Sequence, residues 1–513
     1  MEKLARMSVR EEKGEVQREN GTGEANRVRQ SEMEDSGMEE NINGVSNVDI
    51  EPNVMQVVGV RGKIAEDGEL VPVCTVDKVD KVEGLRVFQE SQYLESEDGR
   101  MINGVMKEND HPLMKQSGGK QWKRMVEDKK GVKTWEQVEV KLEQHMFEPQ
   151  IFSQYMSIDS CSKCFNDYLS SISMERLPHS KPLWEVHVVK SPINTIVFKF
   201  HHSLGDGYTL MGVLLSCLQR ADDPSLPLSF PSLKSSSSSS SKQSFIRRFP
   251  SFISSFFISI TDFGWSLMKS NWIEDDQTPI RNGHEGVEFR PSTISHMMFP
   301  MDRIKEIKSK LQVSVNDVIT GTIFYGIRLY MEDIETKSST KNCTLLAMLS
   351  QRKVKGYQKA RDMQNKSNNW GNQITYLHIS MPKLKDTHIS NPLHFVSKAH
   401  KSITRKKRSF ATSLIVGKHI HRTVKNSSLL MSNIVGPVDQ MALANHPIKA
   451  FYFTLSGLPQ SIVVTIMSYM GMLRVSSRTE EGFIDEQKLE SCVNNAFEII
   501  HKAALEIPTK TKF

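Results

Sequence analysis

The chain has 513 residues, 66 Lys and Arg against 60 Asp and Glu, and a net charge of +6. That length allows two or three domains, and a charge so small and so dispersed argues against a dedicated nucleic-acid binder. No Gly-rich phosphate loop or aromatic–basic repeat adds to that case, and no signal peptide is visible.

Residues 1–53 are rich in Glu, Arg, Asn and Gly and poor in aromatics, a composition that buries too little apolar surface to offset chain entropy. Short β-like runs at 54–60 and 70–76 have no organised core around them, and 77–130 is charged and broken by Gly and Pro. From about 132 the texture changes. A half-buried strand is expected over 135–142, a helix over 165–172, strands over 182–189 and 194–200, and a helix over 208–220. Turn residues at 222–231 and an unbroken serine run at 235–241 read as a linker. Residues 249–268 then carry five Phe and one Trp, with Arg247, Arg248 and Lys269 at the flanks. A bilayer span, an interfacial helix and a buried core helix all remain open there. Asp262 and the serines weigh against the span.

The second folded region starts near 292. Strands are expected over 294–299, 344–350, 373–380, 429–435, 448–456, 461–467 and 472–476. Helices are expected over 301–311, 314–331, 393–404 and 487–504, the second with an apolar stripe of Val315, Val318, Ile319, Ile323, Phe324 and Ile327. The fold class is therefore α/β, as an α+β sandwich of two domains. The domain division is 1–125, an atypical and largely disordered region; 126–232; 233–290, the Ser-rich linker and aromatic segment; and 291–508. The six cysteines (Cys74, Cys161, Cys164, Cys217, Cys343 and Cys492) are scattered, as reduced thiols of a cytosol-facing protein are. Cys161 and Cys164 form a lone CxxC, and zinc would need two further ligands.

One stretch carries chemistry. The β-forming run Ile196, Val197, Phe198, Lys199, Phe200 ends in His201 and His202, followed by Asp206 and Gly207. A positioned imidazole can accept and return a proton near neutral pH. Neighbouring strand residues point to opposite faces, so only one histidine can enter a given site. A metal pair or two ordinary strand-end histidines is the alternative reading.

HHxxxDG resembles the signature of acyl-CoA-dependent acyltransferases with the chloramphenicol-acetyltransferase fold. Pro182-Leu183-Trp184, Asn316-Asp317, Asn369-Trp370-Gly371-Asn372 and Ser432-Asn433 with Gly436-Pro437 resemble motifs of the plant-type wax ester synthase/diacylglycerol acyltransferase branch. The likeness runs from about 132 to 505. Asp262 to Ser266 partly imitates the DFGWG motif of another branch, but at the wrong place.

The resemblance implies two acyltransferase domains with a tunnel between them and His202 as general base. His201, Asp206, Gly207, Asn316 and Asp317 are implied as support, with Asp206 turned away from substrate onto an arginine of the other domain. Pro182, Leu183, Trp184, Gly371 and Asn372 are implied along the channel. Plainer roles stand beside these: Trp184 as core, Asn316 as a helix N-cap, and Gly436-Pro437 as a turn. Asn316 and the backbone N–H groups near Gly371 and Asn372 are the candidate oxyanion donors.

The implied reaction moves a long-chain acyl group from acyl-CoA, the co-substrate, to a fatty alcohol or diacylglycerol. It involves no cofactor, no metal and no nucleic acid. The implied partner is a membrane surface, first the endoplasmic reticulum and second the plasma membrane, with catalytic domains in the cytosol. A soluble alcohol or amine acceptor, or a catalytically impaired lipid-binding homologue, is the alternative. Members of the family open with a strand, a helix and a strand that complete the first domain. No such opening is read in 1–125, so that domain is expected to be incomplete.

Overall fold

The computed structural model describes residues 55–61, 123–127, 133–153, 156–190, 194–231, 261–262, 264–269, 271–352, 357, 371–384, 391–408, 424–443 and 445–508. The apolar run before the histidines is a strand because both its faces are covered. Phe198 and Phe200 enter one core, and Val197 enters another with helix α1 (Ile158–Met174), through Phe165, Leu169 and Ile172.

In chain order the strands are β1 (Met55–Arg61), β2 (Lys123–Glu127), β3 (Lys133–Gln137), β4 (Met146–Phe147), β5 (Trp184–Val189), β6 (Thr195–His201), β7 (Gln219–Arg220) and β8 (Ser292–Pro300). They continue with β9 (Thr344–Ser350), β10 (Ile374–Ser380), β11 (Leu429–Val435), β12 (Met441–Leu443), β13 (His446–Pro447), β14 (Ala450–Ser456), β15 (Ile462–Tyr469) and β16 (Met472–Glu480). The first lobe is a five-stranded sheet ordered β14-β1-β6-β5-β4, and β2 pairs with β3 apart from it.

Two of the five strands come from outside 126–232. β1 lies antiparallel between β6 and β14, from Met55 opposite His201 and Ser456 to Arg61 opposite Thr195 and Ala450. This corrects the reading of 54–60 as a run without an organised core. Seven residues are too few for periodicity to declare partners that lie so far along the chain. The run expected as a strand over 135–142 also ends sooner, at Gln137, and a short 3-10 turn follows at Leu142–Gln144.

The second lobe is a six-stranded sheet ordered β10-β9-β11-β15-β16-β8. Helices α3 (Met301–Leu311), α4 (Val315–Ile334), α5 (Leu393–Arg408) and α6 (Glu486–Leu505) cover one face of it, over Leu345, Leu429, Met431, Val464 and Ile466. Its other face, with Leu346, Leu430, Val463 and Met467, shares a core with Phe198, Phe200, Phe451 and Phe453 of the first sheet. The lobes thus meet across apolar side chains, each worth about 1.5–3 kcal/mol when fully buried. α4 sits unusually close to its neighbours. A Cβ on Gly321 or Gly326 would lie 2.6 Å from the Cα of Val396 or Val493.

Under α1 the first sheet buries charge. The Lys199 ammonium lies 3.2 Å from Glu185 on the adjacent strand, and Lys181 approaches the same carboxylate at 3.2 Å. Burial pushes Glu185 up, but His187, Lys199 and Lys181 together outweigh it and hold its pKa at about 2.

Candidate active site

β6 ends at His201, and the chain turns at once into a 3-10 turn, His202–Leu204. The turn separates the two histidines. His201 is buried, and its Nδ1 accepts from the Ser203 N–H at 3.2 Å and meets the Ser203 hydroxyl at 2.7 Å, so its ring locks the turn. His202 is half-buried. Its ring hydrogen-bonds its own backbone carbonyl. The ring also meets the Asn372 side chain, so groups from both lobes hold the imidazole in place. Burial pushes this imidazole below its ordinary value, against the opposing pull of Asp206, the residue's own carbonyl and the Asn372 side chain. A base that must be neutral near pH 7 gains from that direction.

Asp206 does not face the same space. It is buried and caps helix α2 (Gly207–Cys217), with Oδ1 accepting from the Thr209 N–H and Oγ1, each at 3.0 Å. The remaining bonds cross to the second lobe. Arg352, just past β9, donates from Nη2 to both carboxylate oxygens at 3.0 Å, and the Gln373 N–H donates to Oδ2 at 2.9 Å. The Arg352 guanidinium also lies over the Tyr208 ring, 4.9 Å from its centroid, and donates to the Gly371 carbonyl.

Two glycines make this knot possible. A Cβ on Gly205 would fall 2.6 Å from the Thr209 methyl, and Gly371 adopts φ +96°, which a side chain would strain. Gly207, the first residue of α2, follows directly on the cap.

The second-lobe motifs come together elsewhere. The N-cap of α4 is Ser314, in a reciprocal capping box with Asp317, which corrects the reading of Asn316 as the cap. Asn316 is thereby freed for another bond, and its Oδ1 accepts from Asn433 Nδ2 at 3.1 Å. This joins the Asn-Asp stretch to the Ser-Asn stretch on β11. Asp317 also lies 2.8 Å from Nδ1 of His400. Gly436 passes so close to β15 that a Cβ there would meet the Ser468 carbonyl at 2.0 Å.

Asn372 touches the site directly, donating from Nδ2 to the His202 carbonyl at 2.9 Å. Pro182, Leu183 and Trp184 are buried. Trp184 stacks on His145 with ring centroids 4.0 Å apart, so its observed surroundings are core. Asn369, Trp370 and Cys74 lie outside the described residues. Among those described, no three His, Cys, Asp or Glu side chains gather as metal ligands would. No described helix is long and apolar enough to cross a membrane, and all of 249–260 falls outside the described set.

Asp206 meets an arginine of the other lobe as the resemblance implied, but sequence reasoning did not identify it as Arg352 or point to Thr209. A Thr three residues after an Asp cap was the one available local signal, since that spacing is the reach of a capping side chain.

Two family models match the chain: the wax ester synthase/diacylglycerol acyltransferase catalytic domain over 162–261, and the WS/DGAT C-terminal domain over 370–501. Wax ester synthase/diacylglycerol acyltransferase 4 of Arabidopsis thaliana is 26% identical over 402 residues, 69% of this chain and 75% of that one. Wax ester synthase/diacylglycerol acyltransferase 5 of the same plant is 27% identical over 398 residues, 69% and 77% of the two chains. The solved wax ester synthase/diacylglycerol acyltransferase from Marinobacter aquaeolei VT8 superimposes with a TM-score of 0.51 at 12% identity, over 88% of this chain and 95% of that one, a likeness of fold.

Proposed function

We propose that this chain, a member of the wax ester synthase/diacylglycerol acyltransferase family, transfers a long-chain acyl group from acyl-CoA to the hydroxyl of a fatty alcohol or diacylglycerol, with His202 as general base. The observation that supports the role of His202 is its placement: a half-buried ring at the end of β6, on a turn that Asp206 ties to Arg352 and Gln373 of the other lobe.

The acceptor hydroxyl lies within hydrogen-bond reach of Nε2. As its oxygen attacks the thioester carbon, the proton passes to Nε2. The tetrahedral oxyanion collapses, the C–S bond breaks, and the imidazolium returns the proton to the CoA thiolate. No covalent acyl-enzyme is required. Asp206 acts as a positioning residue, holding the His202 turn against Arg352 and Gln373 of the other lobe. The two substrates would enter a tunnel between the lobes from opposite ends. Because both are lipidic, the working place is a membrane surface, the endoplasmic reticulum before the plasma membrane.

The test is CoA release from palmitoyl-CoA with hexadecanol, a diacylglycerol and a soluble phenolic as acceptors. The lipid acceptors should turn over. His202→Ala should lower kcat roughly 10²–10⁴-fold with an unchanged circular-dichroism spectrum. Full turnover in that variant would end the reading of His202, and turnover of the phenolic alone would end that of the substrates.

A further inference from the structure

The helical residues 261–262, 264–269 and 271 are arranged inside out. Its inward positions are polar: Asp262, Ser266 and Lys269 are 4%, 5% and 2% exposed. Its outward positions are apolar: Trp265, Met268 and Trp272 are 41%, 48% and 74% exposed. The outward three follow a spacing of three and then four, which puts them on one helical face. Trp272 belongs to that face because its N–H still bonds the Met268 carbonyl at 2.8 Å. A helix facing water shows the opposite arrangement.

The inversion is held in place by buried charge. Asp262 accepts from Arg405 at 3.0 Å and Lys406 at 3.1 Å, and Lys269 pairs with Asp275 at 2.5 Å. Asn426 donates to the Lys269 carbonyl at 3.0 Å. These anchors fix the rotation of the helix and leave the tryptophans no route inward.

The same anchors bring α5 alongside. Its sequence, LHFVSKAHKSITRKKR, has six Lys and Arg and no acidic residue, and Lys398, Lys401, Arg405 and Lys407 are exposed. The carboxylates that follow Trp272 are already engaged: Glu274 with Arg281, Asp275 with Lys269, and Asp276 with the Asn342 N–H. An apolar face beside a helix that carries exposed Lys398, Lys401 and Lys407 and no acid of its own matches a surface that is oily below and anionic above.

We propose that Trp265, Met268 and Trp272, flanked by the cations of α5, seat the protein on an anionic lipid surface. Tryptophan at the headgroup boundary and lysine facing the phosphates are the usual anchors of such contacts. A second copy of the chain fits less well. A stable dimer buries about 800 Å² on each partner, more than three partly exposed side chains offer. The proposal rests on the reading that the substrates are lipids, and its test is separable from that reading.

The full-length protein is floated with phosphatidylcholine vesicles, with and without phosphatidylglycerol. Wild type should float with the anionic vesicles and lose binding as salt rises. The double variant W265S/W272S should partition roughly tenfold more weakly, and K401E/K407E should lose the preference for anionic lipid. Both variants alter exposed positions, so each should keep the wild-type urea midpoint and wild-type CoA release on detergent-dispersed substrates. Unchanged flotation of W265S/W272S would overturn the proposal. So would loss in that variant of a concentration-dependent dimer with no change in flotation, which would make a second copy the occupant. Absent acyl transfer in wild type would instead strike the enzymatic reading and leave flotation still readable.

Discussion

Asp206 and Asp275 are held by nearly the same chemistry and sit in regions with different tasks. Each is buried, each faces one cation, and each takes further bonds from backbone N–H and hydroxyl groups. For Asp206 these are Arg352, Thr209 and Gln373; for Asp275 they are Lys269, Thr344 and Ser428. Full satisfaction is what makes a buried carboxylate tolerable in either place. The difference is what each network joins. Asp206 ties the turn bearing His202 to the other lobe. Asp275 ties the starts of β9 and β11 to the inside-out helix, within the second lobe. A buried ion pair therefore marks a site only through the reactive group that it holds.

Removing either carboxylate should separate the two. Asp206→Ala and Asp275→Ala each leave a buried cation unpaired and should destabilise by about 3–5 kcal/mol, read from urea midpoints. Measured where each protein is still folded, Asp206→Ala should also lose kcat, while Asp275→Ala should keep it. Equal turnover in the two would erase the distinction.

A second contrast lies between imidazoles. His202 is pushed down by burial but opposed by Asp206. His378 is fully buried, neither ring nitrogen has a hydrogen-bond partner among the described residues, and burial, Lys406 and Lys269 push its pKa to about 4. Its folded value lies below the ordinary 6.5, so the unfolded chain binds the extra proton first. Stability is lost as pH falls from 6.5 towards 4, by about 2 kcal/mol at pH 5. His378→Leu should flatten that dependence and cost little at pH 7, since it removes an unpartnered polar group. A drop between pH 7 and pH 5 as steep as in wild type would assign the acid sensitivity elsewhere. For His202 the corresponding readout is catalytic: the acid limb of kcat/KM should fall below the ordinary imidazole value, and Asp206→Asn should move it lower still.

Local patterning made much of this fold readable. The helix over 301–311 and the strands over 344–350 and 429–435 have the bounds expected of them, because an apolar stripe or a doubly buried run is written in adjacent residues. β1 was not readable, since its meaning depends on partners at 195–201 and 450–456. Asn316 was misread although the deciding signal was present: both Ser and Asn cap helices, and only Ser314 has an acid three residues on to close the box. In the site, the motif pointed to His202 and Asp206, but an arginine in a loop carries no local mark, so Arg352 needed the structure. The aromatic content of 249–268 was plain, whereas the face that points outward is decided by Asp275, just past that segment, and by Arg405 and Lys406, far along the chain.

Asn372 is the finest probe of the active-site side of the comparison. Its amide donates to the His202 carbonyl, and its side chain also meets the His202 ring. The bond is exposed, so its loss costs little stability, yet it helps to hold the turn that orients the His202 ring. Asn372→Ala should lower kcat about fivefold, the equivalent of one ordinary hydrogen bond, with KM for acyl-CoA unchanged. Asn372→Asp should be worse, because it turns a donor into an acceptor facing a carbonyl. If the two variants instead raised KM alone, Asn372 would be a substrate contact, and the His202 carbonyl would be held by its turn without help from the second lobe.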